Sequence, residues 1–390
     1  MKNKKYIFSI AFMIVAMILT GYYVFSQESL NSLIDILLQV KIGYVLIGFS
    51  MMFIYLGCEA MGIKTVMKSL GKKVPFLESY GYSFVGFYFS AITPSASGGQ
   101  PAQVYYMTKD KLNISYSSLT LLILSIFHQA VALVYAIIMV VSRYSFLKSD
   151  LVGMKILLVY GVVSNVILIG AMVGAMFSKK VLGNVIKGTV KLLSKIKIVK
   201  NLDKTMQTVD RQIAEYQKGA EHIKQNPTLI LKVLFLTIVQ ITALFLVPFF
   251  VYKAFNLTGY KLIDLVAMQA ILTLAVSSLP LPGSVGASET GFMTMFKVFF
   301  SGGLLIPAML VSRLLNFYAF LVVSAVITFV IHIRQARRDL KDDKPDHLEQ
   351  HNIESGKKFG EKYALGEKHK IARLNPNGKI VGDANNSLQR

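Results

Sequence analysis

Tryptophan is absent from this 390-residue chain, cysteine occurs once, and charged residues make up only 16%. The lone Cys58 excludes an internal disulfide and any cysteine-cluster metal site. Where a soluble domain carries about 25% charge, so low a fraction excludes an ordinary soluble protein. The usual signatures of chemistry are missing too. No glycine-rich loop ends in Gly-Lys-Ser/Thr, and there is no HExxH, CxxC, paired histidine spacing or Gly-x-Ser-x-Gly. Nucleotide hydrolysis is therefore unsupported, and the sequence offers no catalytic residue, metal or cofactor to assign.

What is present is hydrophobicity, at 54% of residues. Apolar runs at 6–25, 42–61, 117–141, 151–177, 228–252 and 305–333 reach the roughly 20 residues needed to cross a bilayer. The first follows Lys2, Lys4 and Lys5 and resembles a signal peptide. It is too long for one, and Ser26, Gln27 and Glu28 offer no small-residue cleavage site, so it reads as an uncleaved span. Interfacial anchoring falls to the 19 tyrosines, such as Tyr22, Tyr23, Tyr80 and Tyr82. Gly170 and Gly174 form a small-xxx-small pair suited to helix packing.

The net charge of +21 lies in loops between apolar runs, which points to a positive-inside bias rather than to nucleic acid. Lys2, Lys4 and Lys5 put the N-terminus inside, and Lys64, Lys68, Lys72 and Lys73 put the second loop inside. Residues 179–224 hold 11 Lys/Arg against 4 Asp/Glu and are inside, as is the tail from Arg334. Both termini are thus cytoplasmic. With this topology, 33 Lys/Arg lie inside and 7 outside.

The scheme works only if two further regions each enter and leave on one side. These are 80–107 and 262–300, and each is broken by a polar, Pro/Gly/Ser-rich segment: 93–101 (TPSASGGQP) and 280–289 (PLPGSVGASE). Only 13 residues precede the first break, about 20 Å of helix against a core of roughly 30 Å. A re-entrant hairpin fits. The second region fits either a hairpin or two complete spans, and both preserve the topology.

The fold class expected is thus an all-α polytopic membrane protein, with about six full spans and two broken-helix hairpins in an inverted-topology repeat. Residues 1–142 form the first repeat, 143–178 a connecting loop and the second repeat's first span, and 227–335 the remainder of that repeat. Between them, 179–226 is a basic, partly amphipathic linker, read either as a helix on the anionic inner leaflet or as a solvated helix pair. Residues 336–390 are polar, mixed in charge and poor in aromatics, and read as a disordered cytoplasmic tail. Asn113-Ile-Ser115 matches a glycosylation acceptor but falls on the inner side, where the match is chance.

Lipid tolerates irregular backbone only where it is buried in protein or lines a cavity, so the breaks are where a site is to be sought. Pro94, Pro101, Pro280 and Pro282 end or begin helices, while Gly98, Gly99, Gly283 and Gly286 permit turns and close approach. Half-helices starting there would aim free N–H groups at the cavity and favour an anion such as phosphate. Thr93, Ser95, Ser97, Gln100, Ser284 and Ser288 add hydrogen-bonding groups. Ionisable residues deep in lipid are functional candidates. His128 with Gln129 lies in 117–141; Arg313 with Asn316 lies in 305–333, placed to pair with Glu289 or a lipid phosphate. Glu59 and Lys232, near span ends, read as snorkelling.

Segments 92–103 (ITPSASGGQPAQ) and 279–289 (LPLPGSVGASE), in this order and spacing, resemble the lysylphosphatidylglycerol synthase transmembrane-region family of flippase-like membrane proteins. The likeness covers about residues 5–335. It implies a domain of the bacterial cytoplasmic membrane that moves a phospholipid between leaflets, lysyl-phosphatidylglycerol or a related anionic or aminoacylated lipid. Only about 55 residues follow the last span, too few for the acyltransferase-like synthase domain of two-part members. Translocation is thus the leading expectation. The alternatives are lysyl transfer from charged tRNA to phosphatidylglycerol, tied in the family to cationic-peptide resistance, and a scaffold recruiting a separate synthase. Only the transferase reading brings in a nucleic acid.

Overall fold

The computed structural model describes residues 40–195, 202–277, 279–301 and 303–342. The expected span at 6–25 and nearly all of the expected tail lie outside these residues. Among the described residues there are twelve α-helices and no strand. In chain order they are α1 (Ile42–Ser69), α2 (Phe76–Ile92), α3 (Gly99–Lys109), α4 (Ile114–Ser142), α5 (Tyr144–Phe177), α6 (Lys179–Lys195), α7 (Leu202–Lys224), α8 (Pro227–Ala254), α9 (Leu262–Val276), α10 (Ala287–Met295), α11 (Leu305–Arg313) and α12 (Ala319–Asp342). Five stretches are long and apolar enough to cross a membrane: α1, α4, Ile156–Phe177 within α5, α8, and Leu305–Leu340 through α11 and α12. The protein is an all-α, multi-pass membrane protein. One compact unit runs to Ile333; the described part of a second, 334–342, is the end of α12.

Helix ends follow local chemistry. α1 continues past 61 because nothing stops it before Gly71, whose φ of +77° lets Lys72 N–H reach Met67 O and Gly71 N–H reach Lys68 O. The same closure recurs at Lys111 after α3 and Asn256 after α8. Asn113 caps α4, its side chain accepting from Ser115 and Tyr116 N–H, so this Asn-Ile-Ser is a helix start. Asn226 likewise caps α8, with Pro227 in the first turn. Asp264 accepts from Lys261 N–H at the start of α9 and pairs with Arg143 beyond the end of α4.

The most extensive helix–helix contact joins α1 to α8, and the largest core cluster is built around them from α4, α9 and α11. Small residues pack, but not the expected ones. Gly170 and Gly174 have no neighbour within 4 Å of a Cβ position. Gly161, two to three turns earlier on α5, is the close contact: a Cβ there would stand 2.4 Å from Leu274 O of α9. Fully helical backbone on both sides of Gly170 simply presents that face elsewhere.

The basic linker is a helix pair. In α7, Ile213, Tyr216, Ala220 and Ile223 form one buried stripe, the spacing of an amphipathic helix. The stripe packs against α4, with Asn113 donating to Glu215 (2.7 Å) and Ser115 to Gln212 O (2.9 Å). Burial pushes the Tyr216 hydroxyl above its ordinary range.

Both interrupted regions are short helix, turn, short helix. α2 and α9 hold 17 and 15 residues, about 26 and 22 Å, and α3 and α10 only 11 and 9. None reaches the roughly 30 Å of a hydrocarbon core. The order α1–α2–turn–α3–α4 returns as α8–α9–turn–α10–α11/α12. The turns also share a backbone. Thr93 and Leu281 are extended (φ −113° in both), Pro94 and Pro282 follow, and the next residues are left-handed. These are Ser95 and Ala96 (φ 51° and 54°) in one turn, Gly283 and Ser284 (56° and 51°) in the other.

Candidate functional site

The two turns touch each other, which brings the breaks to one place in the bundle. Left-handed backbone costs roughly 1–2 kcal/mol for a residue with a Cβ. Ser95, Ala96 and Ser284 bear that strain because the surrounding chain holds them.

In the first turn, Thr93 is a brace. Its hydroxyl donates to Phe89 O (2.6 Å) and accepts from Gly98 N–H (2.9 Å), tying the end of α2 to the start of α3. Gly99 then lets α3 lie against α2: a Cβ there would stand 2.0 Å from Ser90 Oγ and 2.8 Å from Gly86 O. Gly86 returns the favour. The side chain of Gln103 occupies the space a Cβ on Gly86 would need, and donates to Glu59 Oε1 of α1 at 2.7 Å. Gln100 donates to Ser125 of α4.

In the second turn the centre is an ion pair. Arg313, 8% exposed, donates from Nε to Glu289 Oε1 (2.6 Å) and from Nη2 to Gly283 O (3.3 Å). Its guanidinium lies 4.4 Å from the Phe317 ring centre and 5.6 Å from that of Tyr318. Glu289 also accepts from Gly286 N–H through Oε2 (2.6 Å) and from Tyr318 OH (3.4 Å). The expectation of free N–H groups at this helix start is corrected for Gly286: the protein's own carboxylate occupies it, as befits an acidic side chain in a first helical turn. A π-helical turn, Leu314–Tyr318, follows Arg313 and carries Asn316, whose side-chain oxygen is buried without a hydrogen-bond partner.

Two cavities adjoin these turns. The larger, about 600 Å³, is lined from the first hairpin by Ser95, Ser97, Gln100 and Pro101, and from α4 by His128 and Gln129. The smaller, about 300 Å³, is lined by Gly283, Ser284, Ser288, Arg313, Asn316 and again His128. Tyr55, Phe87, Ser90, Ala96 and His128 border both. Other sequence-derived candidates do not line either cavity. Thr93, Pro94, Gly98 and Gly99 shape the first turn; Pro280, Pro282 and Gly286 shape the second; Glu289 stands behind Arg313.

Sequence reasoning missed Tyr55, Glu59, Gln103, Ser125 and Gln240, which line the larger cavity. Glu59 does not snorkel at a span end, because α1 runs ten residues beyond it and Gln103 holds it inward. Its signal was legible as a lone acid one turn after Tyr55 in an apolar run. Gln240 of α8 lines the larger cavity together with His128 and gave no signal beyond being polar. Lys232 is exposed on α8.

Among known proteins, the family described as the lysylphosphatidylglycerol synthase TM region matches residues 6–324. No curated protein matches the chain.

Proposed function

Because this chain belongs to the lysylphosphatidylglycerol synthase transmembrane-region family, we propose that it is a lipid translocator. A phospholipid headgroup occupies the polar space between the two turns while its acyl chains stay in the bilayer. The observation that carries this reading is the meeting of two broken helices, each bordering its own cavity, with five residues common to both walls. Broken helices at the bilayer midplane are where transporters bind their cargo. The combined volume, about 900 Å³ from the two values, suits a small-molecule headgroup.

In this reading Arg313 meets the lipid phosphate. A planar guanidinium suits a phosphate's paired oxygens, and Glu289 is the partner that holds Arg313 in place when cargo is absent. Alternating access comes from rocking one repeat against the other, the two in opposite orientation in the bacterial cytoplasmic membrane. The basic pair α6–α7 rests near the anionic inner leaflet.

The test is leaflet exchange of fluorescent phospholipids in liposomes containing the purified full chain. Exchange above protein-free liposomes is expected, and its loss in Arg313→Ala with normal membrane insertion. A protein that exchanges no phospholipid, yet transfers lysine from charged tRNA to phosphatidylglycerol, overturns the proposal.

A further inference from the structure

Three of the helices that wall the larger cavity are α4, α5 and α8, which contribute Ser125, Met172 and Gln240. Helix α7 packs against these same three helices, at the end of the bundle where the basic linker crosses. An apolar layer lies between. Leu119 of α4, Met176 of α5 and Val233 of α8 are buried there together with Tyr216, Ala220 and Ile223 of α7. On each of the three helices these layer residues stand nearer the linker end than the cavity residues do. Met176, for example, is one turn past Met172. From that end the order is α7, apolar layer, cavity.

In the chain, α7 falls between α5 and α8 of the second repeat, yet it is fastened to α4 of the first. Asn113 and Ser115 make that fastening through Glu215 and the Gln212 carbonyl. Gly219 permits the close approach, since a Cβ there would stand 2.7 Å from Leu119. One feature of the seam works against closure. The Tyr216 hydroxyl is buried in it with no hydrogen-bond partner. An unsatisfied buried group favours whichever state lets water reach it, so this joint is biased toward opening.

We propose that α7 is a lid on the inner mouth of the larger cavity. It is docked in this structure, and it lifts from α4 when the cavity admits a headgroup from the inner leaflet. The Tyr216 hydroxyl sets how readily it lifts. This rests on the translocation reading for the lipid, and adds the part that moves and the seam along which it parts.

Two readouts keep the lid apart from translocation. Cys58→Ser removes the lone native thiol, and Ser115→Cys with Gln212→Cys allows a disulfide across the seam. Met172→Cys in the same full chain reports from the cavity wall. In inverted membrane vesicles, a membrane-impermeant maleimide labels position 172, and peptide mass spectrometry follows the rate. The disulfide is expected to slow this labelling by about tenfold or more, because labelling needs local opening. It also brings phospholipid exchange in liposomes down to the protein-free rate, and reductant restores both. Without the cross-link, Tyr216→Phe slows labelling about fivefold, the scale of one unsatisfied buried hydroxyl. Glu215→Ala, which cuts a fastening, speeds it.

Labelling that the disulfide leaves unchanged, or that Tyr216→Phe speeds, overturns the lid. Labelling gated by the disulfide, in a protein that exchanges no lipid between leaflets, leaves the lid standing and removes translocation. Lipid exchange that continues through the disulfide does the reverse.

Discussion

Ser95 and Gly283 hold the same left-handed backbone, φ 51° and ψ 30° against φ 56° and ψ 16°, one residue after a proline in each of two touching turns. The chain thus makes one unusual turn twice, once with serine and once with glycine. What differs is the space beside them. A Cβ on Gly283 would stand 2.2 Å from the Phe317 ring, which also stacks under Arg313.

That difference makes a pair of substitutions informative. Ser95→Gly is expected to change thermal stability little, because relief of roughly 1–2 kcal/mol of left-handed strain offsets the ~0.5–1 kcal/mol entropic cost of glycine. Gly283→Ala combines strain with a displaced Phe317, and is expected to destabilise by about 2–4 kcal/mol and to abolish lipid exchange. Melting curves and exchange rates on the same preparations check both.

Gly99 gives a packing prediction with a built-in control. A methyl group at Gly99 meets the Gly86 carbonyl at 2.8 Å, and backbone cannot swing aside. Gly99→Ala is expected to cost about 1–3 kcal/mol, while Gly57→Ala, with nothing within 4 Å, leaves the melting temperature unchanged or slightly raised. Adding Ser90→Ala to Gly99→Ala restores only part of the loss, since it removes the hydroxyl but not the carbonyl.

Arg313 is held by a carboxylate, a carbonyl and two rings. Lysine offers a single ammonium and no plane to stack. Arg313→Lys is therefore expected to lose most lipid exchange, at least tenfold, although charge is conserved. Exchange at the wild-type rate in Arg313→Lys would show that charge alone serves there.

Asn113 has two jobs that one substitution separates. Its side-chain oxygen caps α4 and its amide donates to Glu215 of α7. Asn113→Asp preserves the cap and sets a carboxylate against Glu215; Asn113→Ala loses the cap as well, at about 1 kcal/mol. Limited proteolysis of the linker is expected to speed up in both, and the melting temperature to fall further in Asn113→Ala.

Much of this architecture is legible in the amino-acid sequence. Apolar runs announce the long helices, because crossing a bilayer demands length and hydrophobicity that few other roles require. The two breaks announce the turns, because proline and clustered glycine forbid an uninterrupted helix. Arg313 and Glu289 are readable as candidates for a pair because charge inside an apolar run needs a partner. Each of these properties belongs to a short stretch of chain.

What only the tertiary structure decided is which side chains face the space between the turns. Thr93 and Gly99 brace the first turn without lining either cavity, while Ser95, Ser97 and Gln100 line the larger one. Glu59 has the sequence context of a snorkelling residue, yet Gln103, 44 positions away in the chain, holds it inward across Gly86. The direction of a helical side chain is set by where the helix begins and by what packs against it. Those are relations between distant segments, and no local pattern contains them.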